Sequence, residues 1–290
     1  MNTANASPEE ITRILVGVDA SANSARAAEW AASLAVELGA RLTVAHALDL
    51  LAPDCDAGWS EQTSYTERRH RDGEGVLAKT TARLAQRYPD LPVTAELSEL
   101  PPAQGLAVLA QDADLLVTGA RGHGGFTGML LGSVSNKLAA HAPCPVVVIG
   151  VDQPAEAIPE VVLGVAGDED AAPIDFAFRT AARLGLSVRA VSAFEPQIAY
   201  GGYYARTQPE IEIEVEALIK AAHERYPQVP VVIEPWQGVP VPSLVQASRG
   251  ARLLVVGSHR RHGPLSFGPG HIVHGLLSHA DTPVAVIPIP

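Results

Sequence analysis

The chain has 290 residues, 47% hydrophobic and 18% charged, with a formal net charge of −11. This is the composition of a soluble globular protein of about two domains, and the acidic balance excludes a general nucleic-acid binder, whose phosphate contacts need a basic face. No apolar run of about eighteen residues and no basic, apolar leader occurs, so neither a membrane span nor secretion is expected and the protein is read as cytoplasmic.

From the N-terminus, RILVGV (13–18) reads as a strand. SANSARAAEWAASLAVELG (21–39) reads as a helix, alanine-rich, with apolar residues at helical spacing and Gly39 as its stop, and RLTVAHAL (41–48) is a second strand. There follow a helix over about Arg68 to Arg87, a strand PVTAELS (92–98) and a helix near Gln104 to Ala110. A strand DLLVTG (114–119), a helix from about Ser133 to His141 and a strand PVVVI (145–149) complete the unit. The pattern then repeats: ADLLVTGARG (113–122) matches ARLLVVGSHR (251–260), RYPDLPV (87–93) matches RYPQVPV (225–231), and HAPCPVVVI (141–149) matches HADTPVAVI (279–287), all at one offset. At the start of the units the offset is larger, ILVGV (14–18) answering VVLGV (161–165), so the second copy is shorter after its second strand. The break falls in GVDQPAEAIPE (150–160), polar and proline-bearing like a linker. Strands alternating with helices predict two α/β domains, 1–150 and 155–290, each a doubly wound parallel sheet covered on both faces. The apolar strands PVVVI and PVAVI are expected at sheet edges, where they pair with each other within the chain.

Ligands of such sheets sit beyond the carboxyl ends of the strands, where strand order reverses. There the first unit places GARGHGGFTGMLLGSVS (119–135), with glycines at 119, 122, 124, 125, 128 and 132. Such a cluster is either a mobile loop or a place where something approaches the main chain closely. A strand, glycine-rich turns and a helix start can bind phosphate through converging amides and the helix dipole. Gly119 and Gly122 would let the backbone approach the ligand, Gly132 would start the helix, and the Ser133 and Ser135 hydroxyls would add donors. There is no GKS or GKT, so it is not a Walker loop, and no GxGxxG follows the first strand.

The spacing of Gly119, Gly122 and Gly132-Ser133, G-x2-G-x9-G-[ST], resembles the nucleotide-binding signature of the ATP-binding kind of universal stress protein. VGVDASANSARAAEWAASLA, LTVAHA, LLGSVS and HAPCPVVVI add to the likeness, which extends over essentially the whole chain as two tandem domains. The resemblance implies a five-stranded flavodoxin-like sheet that holds ATP, with or without Mg²⁺. By it, Gly17 and Asp19 border the adenosine and Ala45 lies by the base, while Gly119, Gly122, His123, Gly124, Gly125, Gly132, Ser133 and Val134 line the phosphates; Arg121 and Ser135 belong to the same loop. Asp19 can accept hydrogen bonds from ribose hydroxyls or adenine N–H; the alternative is that it caps the following helix. The second unit departs from the pattern: Ala166 stands for Asp19, with Asp168 two places on, Arg260 for Gly122 and His271 for Ser133. A degenerate, empty second pocket is the preferred expectation, on the ground that arginine avoids the left-handed backbone open to glycine.

His271 and His274 share a helical spacing suited to a metal, but no carboxylate or cysteine joins them, and no metal site is expected. Cys55 and Cys144 lack CxxC spacing and read as ordinary thiols. Phosphoryl transfer needs carboxylates for Mg²⁺ and a base near the γ-phosphate, and the loop supplies glycines, hydroxyls, Arg121 and His123. The expectation is therefore a nucleotide-dependent regulator or sensor rather than an enzyme. A slow ATPase or phosphotransferase, and a scaffold with structural ATP, are the alternatives. The expected partners are ATP and an unidentified protein, with the two halves forming an intrachain pseudo-dimer and a homodimer as a further assembly.

Overall fold

The computed structural model describes residues 10–48, 50, 59–122, 131–150, 157–167, 170–194, 198–199, 202–203, 207–259 and 269–289. The first half runs β1 (Arg13–Gly17), α1 (Ala22–Leu38), β2 (Arg41–Ala47), α2 (Trp59–Arg87), β3 (Val93–Ser98), α3 (Pro102–Leu109), β4 (Leu115–Gly119), α4 (Ser133–His141) and β5 (Val146–Ile149). The second runs β6 (Ile158–Gly164), α5 (Ala171–Leu184), β7 (Ser187–Phe194), a short hairpin β8 (Ile198–Ala199) and β9 (Gly202–Tyr203), α6 (Gln208–Arg225), β10 (Val231–Gln237), α7 (Pro240–Ala247), β11 (Ala251–His259), α8 (His271–His279) and β12 (Val284–Ile289).

Each half is a five-stranded parallel sheet, ordered β3-β2-β1-β4-β5 and β10-β7-β6-β11-β12. The sheets join edge to edge: β12 pairs antiparallel with β5, Val284 opposite Val148 and Val286 opposite Val146. The expected pairing of PVVVI with PVAVI is therefore present, and ten strands form one sheet. The only antiparallel neighbours in that sheet are the two strands at the join, as a two-fold relation between the halves requires. Outside the join, Arg252 reaches Glu37 at 2.6 Å. His274 Nδ1 lies 3.1 Å from Asn136 Oδ1, so equivalent positions of the two repeats meet across the pseudo-axis.

Local sequence explains the elements that position the strand ends. The Ser21 hydroxyl accepts from Ser24 N–H at 3.1 Å and caps α1, which ends at Gly39 in the left-handed region, φ 69°. Its buried face is Ala27, Ala28, Ala31, Ala32 and Ala35, small enough for the helix to lie close on the sheet. On that face a single apolar cluster runs from Ile14 through Val147 and Ala285 to Val188, uniting both halves. The second helix begins earlier than the sequence pattern suggested, at Trp59, and absorbs Gly73 because a Cβ there would meet Leu48 at 2.5 Å. The hairpin at 198–203 carries no strand-length pattern and was not expected.

At the opposite end of the strands, Asp114 accepts from Thr12 N–H, the Thr12 hydroxyl and Arg13 N–H at 2.8–2.9 Å, tying β1 to β4. Burial alone would raise its pKa; those hydrogen bonds and the Arg13 charge outweigh it, so the carboxyl titrates below its ordinary value. A depressed folded-state pKa contributes stability that is present above the unfolded value and is lost as pH falls through the folded one. Asp114→Asn should accordingly shift the urea midpoint at neutral pH, with the gap from the unaltered chain closing as pH falls below the ordinary carboxylate range. A gap that does not change with pH would exclude the carboxylate as its source.

Candidate functional site

At the carboxyl end of β1, Val18 N–H donates to Ala45 O at 2.8 Å and His46 Nδ1 lies 2.6 Å from Val18 O, so the first two strands end in register. The chain then turns sharply. Asp19 is half-buried, its carboxylate accepts from Ser21 N–H at 3.1 Å, and its own N–H donates to Ser24 Oγ at 3.1 Å. Ala20 carries a φ of 30°, in the left-handed region that a residue with a Cβ seldom enters. Capping of α1 falls to Ser21, so the alternative role for Asp19 is taken by its neighbour.

Beyond β4 the chain is pinned at both ends of its loop. Ala120 N–H donates to Ile149 O and Gly132 N–H to Ala120 O, both at 2.8 Å. Gly132, φ −76° and ψ 153°, is the N-cap of α4, and among the described residues no side chain caps that helix. The first amides of α4 belong to Ser133, which is exposed, Val134, half-buried, and Ser135. Lacking intrahelical carbonyls, such amides and the dipole behind them favour an anion. The two stretches meet at one point: a Cβ added at Gly122 would lie 2.3 Å from Asp19 Oδ2. Strand β1 and the glycine loop are thus in contact through the carboxylate and a residue that must lack a side chain. Arg121 is half-buried beside it.

The structure gives several of these residues roles other than those the sequence suggests. Gly119, Gly122 and Gly132 all have negative φ, so what they provide is room rather than left-handed backbone. For Gly119 the room is taken by Asn23, whose backbone carbon a Cβ would approach to 3.0 Å, which makes it a packing residue under α1. Ser135 is 2% exposed and its hydroxyl, 3.0 Å from both Ala120 O and Gly132 O, is spent on holding the loop ends together instead of facing a ligand. Gly17 and Ala45 are buried; a Cβ at Gly17 would meet the Leu106 side chain at 2.6 Å, so α3 covers the place assigned to adenosine contact. Leu106 was not singled out from the sequence, although Leu244 occupies the matching place over Gly164 in the second repeat, a signal that was available. His123, Gly124 and Gly125 lie outside the described residues, as do Asp168, Arg260 and Cys55. Cys144 is buried.

The second half builds the same corner differently. Its central strand does not turn at Gly257 but continues through Ser258 and His259, paired with Pro288 and Ile289 of β12. A Cβ at Gly257 would meet Ile289 at 2.4 Å and lies 3.3 Å from Asp170 Oδ1. Asp170, 6% exposed, stands where the first half has Asn23 and accepts from Ala166 N–H at 2.6 Å and Gly167 N–H at 2.9 Å. A protein carboxylate thus occupies amides at the end of β6, and an isoleucine lies against the strand end. Gly270, before α8, has φ 84° where Gly132 has −76°. Among the described residues no group of three or more His, Cys, Asp or Glu side chains comes together to hold a metal, and no helix is long and apolar enough to cross a membrane.

Two stretches of the chain, 10–150 and 158–288, match the model of the universal stress protein family. A universal stress protein of Mycobacterium tuberculosis is 32% identical over 298 residues, spanning 96% of this chain and 98% of its own length. One of Mycolicibacterium smegmatis is 32% identical over 285 residues, spanning 94% and 96%. Among solved structures, a universal stress protein from Archaeoglobus fulgidus DSM 4304 shares the fold at a TM-score of 0.74 and 16% identity, with 97% of each chain covered.

Proposed function

Because the chain belongs to the universal stress protein family, and so among stress-response proteins, we propose that it is a nucleotide-dependent regulator whose first domain binds ATP and whose second does not. The observation that carries this reading is the contact between Gly122 and Asp19, where the carboxyl end of β1 and the phosphate-type loop form one surface. In it, Asp19 accepts from the ribose or adenine. The amides after Gly132, at the start of α4, take the phosphates, together with the exposed Ser133 hydroxyl, Arg121 and the loop residues His123, Gly124 and Gly125. Ser135 and Gly119 act from behind, fixing the loop and the strand end. If Mg²⁺ accompanies ATP, its ligands are phosphate oxygens and water, since Asp19 faces the other end of the nucleotide.

In the second domain Asp170 brings negative charge to the corner where the first uses Asn23, and repels an anion there. Calorimetric titration of protein stripped of nucleotide should give about one ATP per chain, and a stoichiometry of two would overturn the asymmetry. Nucleotide turnover above a no-protein control would replace the regulatory reading with an enzymatic one. An ATP-dependent change in oligomeric state or partner binding would distinguish a regulator from a scaffold with structural nucleotide.

A further inference from the structure

Where α1 meets α5, between the domains, lies a cleft of about 240 Å³ lined by Glu10 and Leu38 of the first domain and by Arg179, Thr180, Arg183 and Tyr226 of the second. Three of these side chains carry a buried polar atom with no hydrogen-bond partner among the described residues: Arg179 Nε, Thr180 Oγ1 and Tyr226 Oη. Each has a proton to give. This is unusual for the threonine and the tyrosine. A helical threonine ordinarily returns its proton to a carbonyl one turn back, as Thr80 and Thr81 do at 2.8 and 2.9 Å in α2. Thr180 is only 4% exposed and makes no such bond. A buried tyrosine hydroxyl likewise normally finds an acceptor.

Two guanidinium groups line the cleft. Arg183 is met by Glu10 at 3.6 Å and by Leu38 O at 3.2 Å. Arg179 and Arg225 share one carboxylate, Asp175, with Arg179 at 3.7 Å. Among the described residues, the two guanidinium groups that line the cleft, Arg179 and Arg183, thus each lie at a carboxylate, and Arg179 shares its own with Arg225. Three unused donors beside the Arg179 and Arg183 guanidinium groups call for an acceptor-rich anion, and the walls at Ile11, Leu38 and Ala182 add apolar surface. The volume is below that of a pocket for a drug-sized molecule, about 300 Å³ or more.

We propose that this interdomain cleft binds a small organic carboxylate, the carboxylate held by Arg179, Thr180 and Tyr226 and a short hydrocarbon part lying on Ile11 and Leu38. Such a ligand touches both domains at once. It is independent of the nucleotide site.

Calorimetry on the full chain with hexanoate and benzoate, against hexanamide, benzamide and inorganic phosphate, tests this. The carboxylates should bind saturably with a Kd of about 1 mM or tighter, and the amides and phosphate should not. Thr180→Val and Tyr226→Phe, which preserve shape, should each weaken hexanoate about three- to tenfold, and Arg179→Gln about ten- to a hundredfold, with ATP affinity unchanged throughout. Amides binding as well as carboxylates, phosphate binding alone, carboxylate binding weaker than about 1 mM, or variants that bind like the unaltered chain would each overturn the proposal.

Discussion

Gly122→Ala should lower the affinity for ATP, AMP and adenosine by similar factors, each about ten- to a hundredfold. The reason is local. The new methyl group would stand 2.3 Å from Asp19 Oδ2, well inside contact distance, and the carboxylate must swing away from its place beside the loop. A lost hydrogen bond to a charged group is worth about 1.5–3 kcal/mol, or one to two decades in affinity, and adenosine is the part that all three ligands share. Asp19→Ala should reproduce the profile, and the double variant should be little worse than either single one, because both remove the same contact. Gly132→Val should differ: its side chain crowds Ala120 O, 3.2 Å from the new Cβ, and Arg121. It disturbs the phosphate end and should weaken ATP more than adenosine. Competition titrations with the three ligands separate these patterns. Full adenosine affinity in Gly122→Ala would show that Asp19 does not meet the nucleoside.

Val147→Asp should destabilise the chain by about 4 kcal/mol or more, among the largest effects a single change can have. Val147 is 0% exposed, lies opposite Ala285 at the join and Val117 in β4, and belongs to the apolar cluster that spans both halves. An unpaired carboxylate there has no donor to replace water. Because the cluster is shared, both halves should lose structure together in urea, seen as one shifted transition by circular dichroism. A midpoint close to that of the unaltered chain would mean that the two sheets are not joined through these strands.

Most of the fold was legible because buried parallel strands leave a plain mark. Runs such as ILVGV and PVVVI have no exposed face to interrupt them, and the repeat showed each element twice. The join was legible too, since two equally apolar end strands had nowhere else to go. The site was less so. A glycine in sequence announces only that a side chain is missing, and Gly119 and Gly122 are missing theirs for different neighbours, Asn23 and Asp19. Ser135 looked like a donor to a ligand because a hydroxyl at a helix start usually is one, whereas two carbonyls within 3.0 Å claim it. In the second half, Asp168 stands out as the acid two places after Ala166, while the acid that closes the corner is Asp170, opposite Asn23. The offset that sets Ala166 opposite Asp19 also sets Asp170 opposite Asn23, but nothing in the sequence says that Asn23 lies against Gly119. Arg179, Thr180 and Tyr226 are far apart from Glu10 and Leu38 along the chain, and no local pattern marks a cleft made by docking.

The ladder between β5 and β12 also decides how the molecule responds to dilution. Two separate chains meeting along such strands would be in equilibrium with their halves, and the fraction assembled would fall as protein became scarce. Here the stretch between Ile149 and Ile158 keeps the partners in each other's reach, and encounter is intramolecular. The assembled form is therefore independent of how many copies the cell contains, and a protein present at a few molecules keeps the same architecture as one made in abundance.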